Sequence, residues 1–396
     1  MKNHNSLFSF KEIITKIALA LAICLVLTVL LLPLGKNVAS AKEIHAGCKA
    51  VYLVDADSNT EMYSHRCDDR LPIASMVKIM TSLLAFEAVE RGELSLDEMI
   101  EVSSTASGMG GSQVFLDCNE KYNAGELLKS IVVASANDSC VAIAERLAGS
   151  VEGFVSKMNI RAKELGMNNT NFVNCTGLPA PENYSSAKDV SIMFKKLISY
   201  PAYFEYAGIW LEDFKHPDGR VTTMTNTNKL VKHYNGCDGG KTGFTSEAKF
   251  CLSATACRGG LRVIAVVIGS DSSKERFGTT SQLFNYAFAN YSSKVIKAES
   301  EEIENSVRVL NGKDQKISVG FDRDIRALVK SGSADEYDLK INLPQTVKAP
   351  IVSGQEIGKA YLTRNGEVIG EYPIVALKDV FKANYGDLIK RICHNW

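Results

Sequence analysis

Apolar positions along this chain change their spacing from segment to segment, and each change predicts an element. Ile17 to Leu34 is an almost unbroken apolar run, closed by Pro33 and Gly35. Ala50-Val51-Tyr52-Leu53-Val54-Asp55 reads as a strand, and the turn residues Asp57-Ser58-Asn59 lead to a second short strand. From Ser75 the period becomes helical, with Ile79, Leu83, Leu84 and Phe86 recurring through Ala88. Residues 124–134 and 138–148 predict two further helices. Between them lies Ser135-Ala136-Asn137, whose short polar side chains compete for backbone hydrogen bonds and favour a turn. Helical spacing continues over 151–165 and 187–199, strands are expected at 250–256 and 261–269, and 272–291 is again helical.

Beyond about residue 295 short alternating segments take over: Val307 to Leu310, Ala327 to Val329, Leu339 to Leu343, Ala360 to Leu362 and Tyr372 to Val375. Gly and Asp/Asn turns separate them, the pattern of a small all-β domain. Its boundary is expected near residues 292–300. At the end of the chain, Phe381, Tyr385, Leu388, Ile389, Ile392 and Trp396 share one helical face, with Lys390 and Arg391 on the other side and Lys382 flanking it. That predicts an amphipathic helix over 377–396, suited to a membrane interface, with packing on the β domain as the alternative. Gly386 weakens it in the middle.

Charge and cysteine content narrow the picture. Acidic and basic residues balance at 45 each, so no strong attraction to nucleic acid is implied. Lys2, Lys11 and Lys16 before the first apolar run, and Ala39-Ser40-Ala41 after it, predict a secretory leader over 1–41, with an uncleaved membrane helix as the alternative. Loss of that leader removes Cys24 and leaves nine of the ten cysteines, an odd number without a Cys-x-x-Cys, so no disulfide framework is read. Cys251 and Cys257 fall on one expected strand, about 20 Å apart and beyond bonding reach. The six histidines include no zinc-binding pattern.

Three short motifs carry the chemistry: Ser75-Met76-Val77-Lys78, then Ser135-Ala136-Asn137, then Lys241-Thr242-Gly243. In that order they are the parts of a serine acyl-transferase site that needs no histidine. Positions i and i+3 share a helix face, so Lys78 can reach Ser75 Oγ. Burial and a second cation, Lys241, would lower the Lys78 pKa and make a neutral amine available as base. Each motif is weak alone, since Ser185-Ser186-Ala187-Lys188 also fits the first pattern. The Ser-x-Asn by itself is a turn.

Taken together, these residues resemble the D-alanyl-D-alanine carboxypeptidases, the low-molecular-mass penicillin-binding proteins. The likeness extends to Leu71-Pro72-Ile73-Ala74 before the nucleophile, Met109-Gly110-Gly111-Ser112, Leu165-Gly166-Met167, Thr176-Gly177-Leu178, Asn226-Thr227-Asn228 and Asp238-Gly239-Gly240. The resemblance implies Ser75 as nucleophile, Lys78 as base, Ser135 and Asn137 as relay, and Lys241 and Thr242 on the substrate carboxylate. It implies an oxyanion hole from the backbone N–H groups of Ser75 and Phe244, with Gly243 letting substrate lie close to the strand. Arg276 resembles an additional carboxylate-binding arginine, although a surface arginine on a helix is an equal alternative.

The expected fold is therefore an α/β (α+β) penicillin-binding domain over 46–292, with a mainly antiparallel sheet and a helical subdomain, followed by a β-sandwich-like domain over 296–376. The expected reaction is removal of the terminal D-alanine from peptidoglycan stem pentapeptides, outside the cytoplasmic membrane, with β-lactams acylating Ser75. No metal or organic cofactor is required. Two rivals stay open. Glu164-Leu165-Gly166-Met167-Asn168 has the glutamate–asparagine spacing of a class A β-lactamase deacylating loop, and a non-catalytic peptidoglycan-binding protein would keep the cleft without turnover.

Overall fold

The computed structural model describes residues 44, 47–303, 307–387 and 389. The expected leader lies outside the described residues. The central sheet is antiparallel, with spatial order β2-β1-β5-β4-β3, built from β1 (Ala50–Asp55), β2 (Glu61–His65), β3 (Cys237–Thr245), β4 (Lys249–Arg258) and β5 (Leu261–Ser270). Because side chains alternate across a strand, β1 sends Tyr52 and Val54 into one core and Val51 and Leu53 into another. Apolar layers cover both faces, which explains why β1 and β5 read as continuous apolar runs. The strand carrying Lys241-Thr242-Gly243 is β3, at one edge of the sheet.

One face holds α1 (Lys78–Glu90), α2 (Ala124–Ala134), α3 (Asn137–Ala148), α4 (Val151–Glu164) and α5 (Ala187–Leu197). Helix α1 is buried from Lys78 to Ala88, so it runs through the interior instead of presenting one stripe to a core. Leu283, Phe284 and Ala287 of α6 (Ser273–Asn290) cover the opposite face of the sheet. The helical run beginning at Ser75 resolves into two parts. A 3-10 turn spans Ala74–Val77, and the α-helix itself starts at Lys78.

Strand pairing resumes at Tyr291, immediately after α6. The strand Tyr291–Lys297 pairs with Ile325–Lys330; a three-stranded sheet and a four-stranded sheet complete an all-β region around Val309, Phe321, Ile325, Leu362 and Ile374. Isolated bridges tie Val380 to Ile351 and Lys382 to Gly312, so this region extends to residue 382. A helical turn begins only at Tyr385; Phe381 lies before it, and Leu388, Lys390, Arg391, Ile392 and Trp396 are outside the described residues.

Candidate active site

Ser75 is placed by an unusual piece of backbone. Ala74 has φ +47, a left-handed conformation that a non-glycine residue adopts only when its surroundings enforce it. Two glycines do the enforcing. A side chain at Gly177 would put its Cβ 2.0 Å from Ala74 O, and one at Gly243 would lie 2.6 Å from Ile73 O and 3.2 Å from Ser75 N. Strand β3 and the 176–178 loop thus press directly on the nucleophile turn. No side chain caps that turn, and Ser75 remains partly exposed.

Lys78 is fully buried beneath the serine. Its Nζ lies 3.2 Å from Ser75 Oγ, 2.6 Å from Asn137 Oδ1 and 2.5 Å from Thr176 O. Neutral lysine has two N–H donors and one lone pair. The two short contacts go to oxygens that only accept, so in the neutral form they would use both donors and leave the lone pair facing the serine hydroxyl. Burial lowers the Lys78 pKa and favours that neutral form.

Asn137 is held in turn by three bonds. Its Oδ1 accepts from Lys78, its Nδ2 donates to Gly110 O at 2.6 Å, and its backbone N–H donates to Ser112 O at 2.7 Å. Gly111, at φ +81, lets the loop pass: a Cβ there would lie 2.8 Å from Asn137 Nδ2. Ser135 ends α2 in the left-handed conformation, φ +65, and Asn137 begins α3 after the N-cap Ala136, so the Ser135 and Asn137 side chains sit on a sharp corner inside the protein. Buried Asp138 braces the same corner by accepting from the backbone N–H groups of Val114 and Leu116. Burial raises its pKa, while these donors oppose the shift.

Lys241 is buried as well, with Nζ donating to Thr242 O at 2.9 Å. Its pKa is pushed well down, first by burial and then by the charges of Lys78 and Arg276. The expectation named burial and Lys241 as the two causes lowering the Lys78 pKa, and burial is the first of them. Burial lowers the pKa of both lysines, and the two ammoniums repel each other. A substrate carboxylate arriving beside Lys241 would favour its charged form.

Arg276 is not a surface arginine. It is buried, and Nη1 donates to Gly243 O at 3.3 Å and to Cys251 O at 3.2 Å, tying α6 to strand β3. Burial brings its pKa down to about 10, which leaves it charged at neutral pH. Its Nε has no partner among the described residues. Phe244 is 54 % exposed, its ring 4.4 Å from that of Phe250, at the open edge of the strand.

Direct contacts therefore join Ser75, Lys78 and Asn137. Ser135 lies two residues before Asn137 at the same corner, Lys241 interacts electrostatically with Lys78, and Arg276 bonds the Gly243 carbonyl. Sequence reasoning assigned no role to Thr176 or Gly177, although a left-handed glycine beside a threonine hints at a constrained loop. Glu164 ends α4 with its carboxylate 2.8 Å from Arg161 Nη1 and its side chain 56 % exposed, the arrangement of a surface ion pair.

Known proteins share this architecture. The family profile described as D-alanyl-D-alanine carboxypeptidase matches residues 36–272, and that of the penicillin-binding protein 5 C-terminal domain matches 291–382. The chain is 39% identical over 356 residues to the D-alanyl-D-alanine carboxypeptidase DacF of Bacillus subtilis (strain 168), covering 89% of this chain and 91% of that one. It is 30% identical to DacC of Escherichia coli (strain K12), covering 88% and 89%. Among solved structures, penicillin-binding protein 5 of Haemophilus influenzae matches with a TM-score of 0.66 at 29% identity, over 85% of this chain and 98% of that one. PBP3 of Streptococcus pneumoniae matches with a TM-score of 0.69 at 26% identity, over 84% and 99%. The profile match over more than half of the chain and the 39% identity to a curated carboxypeptidase over 89% of it show that the chain belongs to the D-alanyl-D-alanine carboxypeptidase family of serine peptidases.

Proposed function

We propose that the protein removes the terminal D-alanine from peptidoglycan stem pentapeptides through an acyl-enzyme on Ser75. The observation that carries this reading is the buried Lys78 amine 3.2 Å from Ser75 Oγ, which in its neutral form keeps a lone pair for that hydroxyl while its N–H groups bond Asn137 Oδ1 and Thr176 O. Lys78 takes the hydroxyl proton as Ser75 Oγ attacks the carbonyl carbon of the penultimate D-alanine. The oxyanion is met by the backbone N–H groups of Ser75 and Phe244. The proton passes by way of Ser135 to the amide nitrogen, the C–N bond breaks, and D-alanine leaves. Water then attacks the ester, gives its proton to Lys78, and releases the tetrapeptide with Ser75 restored. Lys241, Thr242 and Arg276 hold the terminal carboxylate, and Asn137 keeps Lys78 aligned.

β-Lactams would acylate the same serine. Export through the 1–41 leader, action at the outer face of the cytoplasmic membrane, and membrane association of the C-terminal end belong to the same reading. Exposed Tyr385 and Ile389, four residues apart from the start of the helical turn, support the last of these, with exposed Phe381 just before it.

Intact-mass measurement of the purified protein with penicillin, alongside Ser75→Ala, tests the proposal. A one-to-one adduct that needs Ser75 and lasts for minutes is expected, together with D-alanine release from a pentapeptide. Rapid consumption of penicillin without a lasting adduct would indicate a β-lactamase. No adduct, no consumption and no D-alanine release would leave a binding protein.

A further inference from the structure

A cavity of about 430 Å3 lies where the catalytic region meets the C-terminal β region, and none of the groups bonded around Ser75 lines it. The catalytic region contributes Lys195, Ser199 and Arg262 to its wall, and the β region contributes Arg323, Arg326 and Tyr372. Two carboxylates, Asp57 and Asp324, share the lining. Arg326 is paired with Asp324 at 2.7 Å, and Arg262 holds Asp238 behind the wall at 2.7 Å. Lys195 and Arg323 have no carboxylate within 4.0 Å among the described residues. Lys195 Nζ instead donates to Asn59 Oδ1 at 2.7 Å and Asp57 O at 3.3 Å, both uncharged acceptors. Arg323 lies over the Tyr372 ring, 5.7 Å from its centroid.

The cations continue into an adjoining cavity that shares Lys195 and Ser199 and adds Lys188 and Lys196, with no carboxylate in its lining. Six basic side chains thus face two carboxylates across the two cavities, in a chain whose formal net charge is zero. The β4–β5 turn is shaped to admit one of them: Gly260 has φ +78, and a Cβ there would lie 2.1 Å from Arg326 Nη1. Like charges brought together at a domain junction raise the free energy unless an anion joins them. Burial lowers the Lys195 pKa, the carboxylates of Asp57 and Asp55 oppose that shift, and Arg323 adds to it, so the two cations lie close enough to interact.

We propose that this junction is an anion site that takes a phosphate group, held between Lys195 of the catalytic region and Arg323 of the β region. Two unpaired cations match a dianion. An ammonium and a guanidinium approaching from different walls can each bond a separate oxygen of a phosphate group.

The test is calorimetric titration of the full-length protein with inorganic phosphate and with pyrophosphate, at an ionic strength held constant with chloride. Saturable one-to-one binding is expected. Lys195→Gln and Arg323→Gln should each weaken it about tenfold or more, the loss of one charge-assisted contact. D-Alanine release should stay unchanged in both, which separates loss of the anion from loss of the fold. Lys195→Arg keeps the charge and should retain binding; if it fails as badly as Lys195→Gln, packing is responsible and the charge argument falls. Phosphate binding no better than chloride, or binding indifferent to Lys195 and Arg323, would overturn the proposal. Competition by glycerophosphoglycerol would support a phosphodiester polymer or headgroup as the source, and competition by phosphate monoesters alone would support a free phosphate compound.

Discussion

Ser75-Met76-Val77-Lys78 and Ser185-Ser186-Ala187-Lys188 each place a lysine three residues after a serine at the start of a helix, yet they do opposite work. Lys78 is wholly buried against Ser75, Asn137 and Thr176, whereas Lys188 is exposed. In the second copy the serine hydroxyls serve the fold. Ser186 Oγ caps α5 by accepting from Asp189 N–H at 3.1 Å, and Ser185 Oγ lies 2.7 Å from Thr170 Oγ1. In the first copy the 3-10 turn has no side-chain cap, so the Ser75 hydroxyl is left for chemistry. The copies are also connected. Ser185 and Leu71 exchange backbone hydrogen bonds at 2.9 and 3.0 Å, so the structural copy anchors the segment that leads into the catalytic one. A reactive serine is thus one relieved of capping and provided with a buried base.

Substituting the two lysines should separate the copies most sharply. Lys78→Ala is expected to slow acylation by penicillin about 10²- to 10⁴-fold, the usual contribution of a general base. Lys78→Arg should be equally slow, because a guanidinium cannot become a neutral base. Lys188→Ala should acylate at the parent rate, and comparable losses at 78 and 188 in timed intact-mass labelling would refute the distinction. Gly177→Ala attacks the support of the first copy. A left-handed φ of +81 and a Cβ 2.0 Å from Ala74 O predict a loss of about 3 kcal/mol in denaturant unfolding.

The buried lysines also predict a pH dependence of definite sign. Their native pKa values lie below the unfolded value of about 10.4. As pH falls below that value the unfolded chain binds protons first, so stability declines until the native lysines protonate. Stability should therefore rise with pH across this window, less steeply in Lys241→Gln. Acylation should rise too, with a midpoint below 10.5, and a rate flat in pH would remove Lys78 as the base. The smallest effect is expected from Ser186→Ala, which deletes a helix cap. It should cost about 1 kcal/mol in unfolding free energy and leave acylation untouched.

Much of the scaffold was legible because its signals are local. The helices at 124–134 and 151–164 and the strands at 250–256 and 261–269 follow from spacing alone, and the Ser-Ala-Asn turn follows from side chains that compete with the helix ladder. The 3-10 turn under Ser75 was hidden, since its left-handed Ala74 is imposed by Gly177 and Gly243 from elsewhere in the chain. Arg276 was ambiguous for the same reason. Nothing around it in sequence reveals that its guanidinium reaches Gly243 O, 33 residues away.

Sequence by itself determined the elements, the order of the three motifs and the presence of a serine–lysine pair, since neighbouring residues set period, turn and spacing. Only the tertiary structure decided which of two identical patterns is reactive, that Lys78 is buried deeply enough for its pKa to fall, and that unpaired cations meet at the domain junction. A pKa depends on the solvent removed and the charges nearby, and the groups that supply both are distant in sequence: Thr176, which accepts from Lys78, is 98 residues beyond it.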